Sequence, residues 1–132
     1  MHSIEIASSL NKINEVEALI DKVCEDLSLN EDHYGNILIA VTEAVNNAII
    51  HGNKSEEKKV VKVDVVKSNN VVVFSVEDQG IGFDFNNLPD PTAPENIEKP
   101  DGRGIFLMKN LSDEVEFIGN GSKVSITFSM NE

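Results

Sequence analysis

Two valine-rich runs three residues apart, KKVVKVDVVK at 58–67 and VVVFSVED at 71–78, constrain the fold of this chain most strongly. β-Branched residues at that density favour extended backbone, and the intervening SNN is a hairpin signal. The middle of the chain is therefore an antiparallel pair. A second pair, DEVEFIG and SKVSITFSM, turns at NGS near the C-terminus, and HSIEIAS alternates around Ile4 and Ile6 as a short first strand.

Helical spacing fills most of the remainder. In LNKINEVEALIDKVCEDL, 10–27, the apolar residues Leu10, Ile13, Val16, Leu19, Ile20, Val23, Cys24 and Leu27 recur at the period of one helix face. SLNEDH breaks that pattern, and either Ser28 with Glu31, or Asn30 itself, can cap the next helix. This second helix is expected to run to about His51 and stop at Gly52, in the left-handed position that follows many helices. The segment from about 83 to 101, FDFNNLPDPTAPENIEKPD, carries all four prolines and no periodicity, so it reads as a long loop of the kind that serves as a lid. GRGIFLMKNL, 102–111, reads as a short helix entered through two glycines. The order β, α, α, β, β, loop, α, β, β predicts an α+β fold: two layers, with helices on one face of a mostly antiparallel sheet.

Composition narrows the function classes. A chain of 132 residues, 40% hydrophobic and 26% charged, is one globular domain. The formal net charge of −12, with no run of Lys or Arg, argues against binding nucleic acid through phosphates and for a basic protein partner. A single cysteine, Cys24, rules out an internal disulfide and a cysteine-based zinc cluster. No apolar run reaches membrane-spanning length and MHSIEIASS lacks a signal-peptide pattern, so a cytoplasmic protein is expected.

Three short motifs carry chemistry. On a wheel of about 100° per residue with Glu43 at zero, Asn47 falls at about 40°, His51 at about 80° and Asn46 at about 300°. Ile37, Leu38, Val41, Val45, Ala48 and Ile49 fill the opposite arc, from roughly 120° to 240°. A carboxylate and an amide oxygen at i and i+4 suit Mg2+ chemistry, because the amide is a hard ligand and the carboxylate can take a proton. The same face fits a solvated helix surface equally well. In EDQGIGFD, 77–84, Asp78 closes a strand with an acceptor-only carboxylate that suits an exocyclic amine, and Gly80 and Gly82 permit close backbone approach; a plain glycine turn fits too. In GRGIFLM, Gly102 and Gly104 stand where a helix begins, a place that favours phosphate, and Arg103 adds a fork of donors. Two glycines ending a loop would look the same.

Taken in order on these elements, with the proline-rich segment between the last two, the motifs resemble the ATP-binding superfamily of DNA gyrase, heat-shock chaperone ATPases, histidine kinases and MutL, the GHKL superfamily. The resemblance spans about residues 35 to 128. EAVNNAIIHGN and GRGIFLM are most similar to the boxes of bacterial anti-sigma-factor serine/threonine kinases. Sensor histidine kinases more typically show G-x-G-L-G-L at the last box and carry a phospho-acceptor helix pair, and the other branches are far longer.

The resemblance implies a Bergerat-type ATP-binding fold with a long lid at about 83–101. It implies Glu43 as general base, Asn47 as Mg2+ ligand, and Asp78 as acceptor for the adenine amine with Gly80 and Gly82 beside it. Gly102, Arg103 and Gly104 would hold the phosphates. The implied cofactors are ATP and Mg2+. The implied partners are a sigma factor and a STAS-domain anti-sigma-factor antagonist phosphorylated on Ser or Thr, with no direct contact to nucleic acid or membrane. A homodimer is implied too, for which the first helix and first strand are candidate surfaces. Asn46 lies at the pocket margin, and His51 reads as a helix-end residue favourable to the dipole. Alternative readings are an anti-sigma module without kinase activity, a stand-alone histidine-kinase-type catalytic domain, and an α+β domain without nucleotide.

Overall fold

A computed structural model describes residues 2–80, 100–119 and 122–130. Five strands, β1 (His2–Ala7), β2 (Val60–Ser68), β3 (Val71–Glu77), β4 (Glu114–Ile118) and β5 (Lys123–Ser129), form one sheet of order β1-β2-β3-β5-β4. Every neighbouring pair is antiparallel. The helices α1 (Ile13–Asp26), α2 (Glu31–Asn47) and α3 (Pro100–Leu111) supply the second layer. The α+β architecture expected from the sequence is the one found.

Register explains why these runs became strands. Two inward rows cross the sheet, Ile4–Val63–Val76–Val124–Phe117 and Val65–Phe74–Ile126–Val115. A one-residue slip would exchange them for Asp64, Ser75, Ser125 and Glu116, which pair across the opposite face. Phe74 and Phe128 meet edge to face at 5.9 Å under the helices. From the helical layer come Val16, Ile20 and Val23 of α1, Ile37, Val41 and Val45 of α2, and Ile105 and Met108 of α3, all buried.

The helix termini settle one alternative of the sequence reading and depart from it in two places. Asn30, not Ser28, caps α2, its Oδ1 accepting from the His33 N–H at 2.8 Å, while Ser28 takes a positive φ of 54°. The α-helix ends at Asn47 and continues as a π-helical turn, Ala48–Gly52, in which Asn53 N–H donates to the Ala48 carbonyl at 2.8 Å. The left-handed residues that follow are Lys54 and Ser55, with φ of 56° and 57°. Gly52 is therefore not the left-handed residue expected from its place after the helix. α3 begins at Pro100, so the last two residues of the predicted loop are helical, consistent with proline at a first helical position. The rest of the predicted lid, and Gly82, lie outside the described residues.

One glycine has no evident purpose. Gly35 lies within α2, and no described atom is within 4 Å of a β-carbon built there. Gly35→Ala is expected to raise the unfolding free energy by about 0.5–1 kcal/mol through helix propensity. A higher urea midpoint at unchanged slope is the measurement; an unchanged or lower midpoint would contradict it.

Candidate functional site

The inward side of α2 is fixed by Ile37, Val41, Ala44 and Val45, which leaves Glu43 and Asn47 one turn apart and half-buried beside the core. Asn47 carries a buried side-chain atom, Nδ2, with no hydrogen-bond partner among the described residues. A buried amide end without a partner costs free energy and suits a site completed by a ligand. Asn46 is half-buried and His51 is exposed on the π-helical turn, whose wider winding takes it off the 100° wheel.

Asp78 stands immediately after β3. Its N–H donates to the Ser122 carbonyl at 2.8 Å, and its Oδ1 accepts from the Gly80 N–H at 2.8 Å. Burial is the main influence on its carboxyl and pushes the pKa up, with Glu77 adding to the rise; the Gly80 hydrogen bond and Lys59 oppose it.

Close packing joins Asp78 to the end of the α2 segment. A β-carbon on Gly52 would overlap the Asp78 carboxylate, 2.8 Å from Oδ1 and closer still to Oδ2. A β-carbon on Gly80 would overlap the Gly52 carbonyl group, 2.7 Å from its carbon. Both glycines are thus required by space. Asn53, fully buried, accepts the Gln79 N–H at 2.8 Å and donates to Ser8 Oγ and the Val60 carbonyl at 2.7 and 3.0 Å. Sequence reasoning missed Asn53, since an asparagine after a helix-ending glycine reads as an ordinary loop residue.

The structure therefore brings the first two motifs together through residues 52, 78 and 80. The third lies on α3, which packs against α2; Gly102, Arg103 and Gly104 are the third to fifth residues of the helix instead of preceding it. Among the described residues no three His, Cys, Asp or Glu side chains gather as a metal cage. A shallow depression of about 660 Å³ between residues 8–11 and 55–58 touches none of the motif residues and is not the candidate site.

A model of the histidine kinase-like ATPase domain matches residues 6–128. The chain belongs to that family. This histidine kinase-like ATPase domain is 36% identical over 109 residues to the Anti-sigma F factor of Bacillus thuringiensis (strain Al Hakam), covering 80% of the chain and 68% of the relative. The Anti-sigma F factor of Bacillus mycoides (strain KBAB4) matches with the same figures. The fold is shared with a crystal structure of the RsbU and RsbW domains of Rv1364c from Mycobacterium tuberculosis, at a TM-score of 0.61 and 15% identity over 98% of the chain. It is also shared with the histidine kinase domain of the blue-light activated histidine kinase from Erythrobacter litoralis EL346, at a TM-score of 0.54 and 22% identity over 75% of the chain. The ATPase domain spans 31% and 45% of the length of those two structures. Among the described residues no helix is long and apolar enough to cross a membrane.

Proposed function

We propose that this domain is an ATP- and Mg2+-dependent serine/threonine kinase that holds a sigma factor and phosphorylates a STAS-type anti-sigma-factor antagonist. The observation that carries the reading is the half-buried Glu43–Asn47 pair, whose Asn47 Nδ2 donor has no partner among the described residues and whose Oδ1 is the atom able to face a cation, on the helical segment whose end packs against Asp78. Family membership and the anti-sigma F relatives support it.

Bound Mg2+·ATP would supply the phosphoryl group and neutralise its charge, so the protein's task is mainly positioning. Asn47 would hold the metal and Asp78 would accept the base amine. The N-terminal end of α3, with Gly102, Arg103 and Gly104, would face the phosphates, favoured by the helix dipole. Glu43 would accept the proton of the substrate Ser or Thr hydroxyl, whose oxygen would replace ADP on the γ-phosphorus. The acidic surface suits a basic region of a sigma factor. The reading includes action in the cytoplasm as a homodimer through α1 and β1, the latter an edge strand of the described sheet.

Single-turnover transfer from labelled ATP to a STAS-domain antagonist tests the proposal, with acid-stable phosphoserine or phosphothreonine as the expected product. Acid-labile label on a partner would instead favour the histidine-kinase reading, which the Erythrobacter litoralis fold match makes worth separating. Sigma-factor capture with no transfer would leave an anti-sigma module without kinase activity. Mg2+·ATP at a hundredfold excess over Kd is expected to stabilise the fold by about 2.7 kcal/mol; no rise in melting temperature at millimolar ATP would revive the domain without nucleotide.

A further inference from the structure

We propose that Asn53 is a positioning residue for the base-binding end of the site, acting through Asp78. The inference rests on the reading of Asp78 as the base acceptor. Only two polar side chains among the described residues are fully buried, Asn53 at 0% and Ser8 at 1% exposure, and they are bonded to each other at 2.7 Å. Ser8 Oγ passes the connection on to the Lys59 carbonyl at 2.8 Å, and Gln79 Oε1 accepts the Val60 N–H at 2.8 Å. A single amide thereby ties the exit of the π-helical turn to the end of β1, the start of β2 and the second residue after β3.

One of these bonds has a consequence beyond stability. The Gln79 N–H that Asn53 Oδ1 accepts belongs to the peptide unit joining Asp78 to Gln79. That unit is planar, so holding its N–H fixes ψ of Asp78. The peptide on the other side of Asp78 is held by its own N–H to Ser122, which fixes φ. With both dihedrals set, the direction of the Asp78 Cα–Cβ bond is set as well, and the remaining rotamer choice is made by the Gly80 N–H. Oδ1 is then locked onto the Gly80 N–H, and Oδ2 lies over Gly52. Without the Asn53 bond the Asp78–Gln79 peptide loses the one hydrogen bond made by its own N–H, and the carboxylate is held less firmly even though no atom of Asn53 need touch a ligand.

Ser8 separates aiming from mere stabilisation, because it shares the network but does not touch the Gln79 N–H. The experiment is a double-mutant cycle of Asn53→Ala and Asp78→Asn in the full chain, with ATP affinity by calorimetry and melting temperature for each variant, beside Ser8→Ala. Asn53→Ala is expected to weaken ATP about tenfold in the native background and to cause no further loss once Asp78 is Asn. Ser8→Ala is expected to lower the melting temperature while leaving ATP affinity unchanged. If Asn53→Ala fails to fold, Asn53→Ser enters the same cycle. An equal Asn53→Ala loss in both backgrounds, or a Ser8→Ala loss as large, overturns the positioning role alone. An unchanged ATP affinity in Asp78→Asn overturns the base-acceptor reading and this role with it.

Discussion

Replacing Glu43 with Ala is expected to leave Mg2+·ATP affinity nearly unchanged and to lower phosphoryl transfer to the antagonist roughly 10²- to 10⁴-fold. That is the range a positioned general base contributes. The substitution should be benign for the fold, because Glu43 makes no hydrogen bond or ion pair to a described residue and lies beside the core instead of within it. Single-turnover transfer and calorimetric ATP binding, measured on one preparation, separate the two effects. Full transfer by Glu43→Ala would remove Glu43 as the base and leave hydroxyl activation to another group. Lost binding would place it among the ligand-holding residues instead.

Asp78→Asn should move stability and affinity in opposite directions. Burial lifts the Asp78 pKa above its ordinary 3.8, so the folded protein holds that proton more tightly than the unfolded chain does. The resulting stabilisation is present below the unfolded pKa and is lost as pH rises through the raised folded value. At neutral pH the ionised carboxylate is a standing cost to the ligand-free fold. Asparagine removes the charge, and its Oδ1 can keep the Gly80 N–H bond seen at 2.8 Å. The ligand-free variant is therefore expected to melt at a higher temperature than the native protein at pH 7. Its ATP affinity is expected to fall roughly ten- to a hundredfold, the loss of a hydrogen bond to a charged acceptor. In the native protein, ATP binding should weaken on acidification at a higher pH than an unshifted aspartate would give. Lower stability together with unchanged affinity would reverse both assignments.

Much of the layout was legible because valine alternation and helical spacing report burial directly. The hairpin of β2 and β3, the late hairpin of β4 and β5, and the sequence of elements were all readable. So was the placement of Glu43 and Asn47 one turn apart on a helix, and of Asp78 at a strand end. What the pattern hid depends on tertiary contact. Gly52 reads as a helix stop, yet its hydrogen side chain is required by the neighbouring Asp78 carboxylate, about 26 positions away in sequence. Asn53 reads as a loop asparagine, and nothing local announces that its amide will be fully buried between four segments. The π-helical turn likewise escapes a wheel that assumes one winding throughout. Pro100 reads in sequence as a breaker like the other prolines, although the first position of a helix tolerates it.

The strand order also sets a timetable. β3 is flanked by β2, made just before it, and by β5, whose Ser125 faces Ser75 across 50 residues of chain. During synthesis from the N-terminus, the strand bearing Val72, Phe74 and Val76 therefore emerges well before its second neighbour exists. In that interval it presents an unpaired, valine-rich edge of the kind other chains can extend. Closure of the sheet must wait for the last strand, so the central strand of the finished fold is the exposed margin of the nascent one.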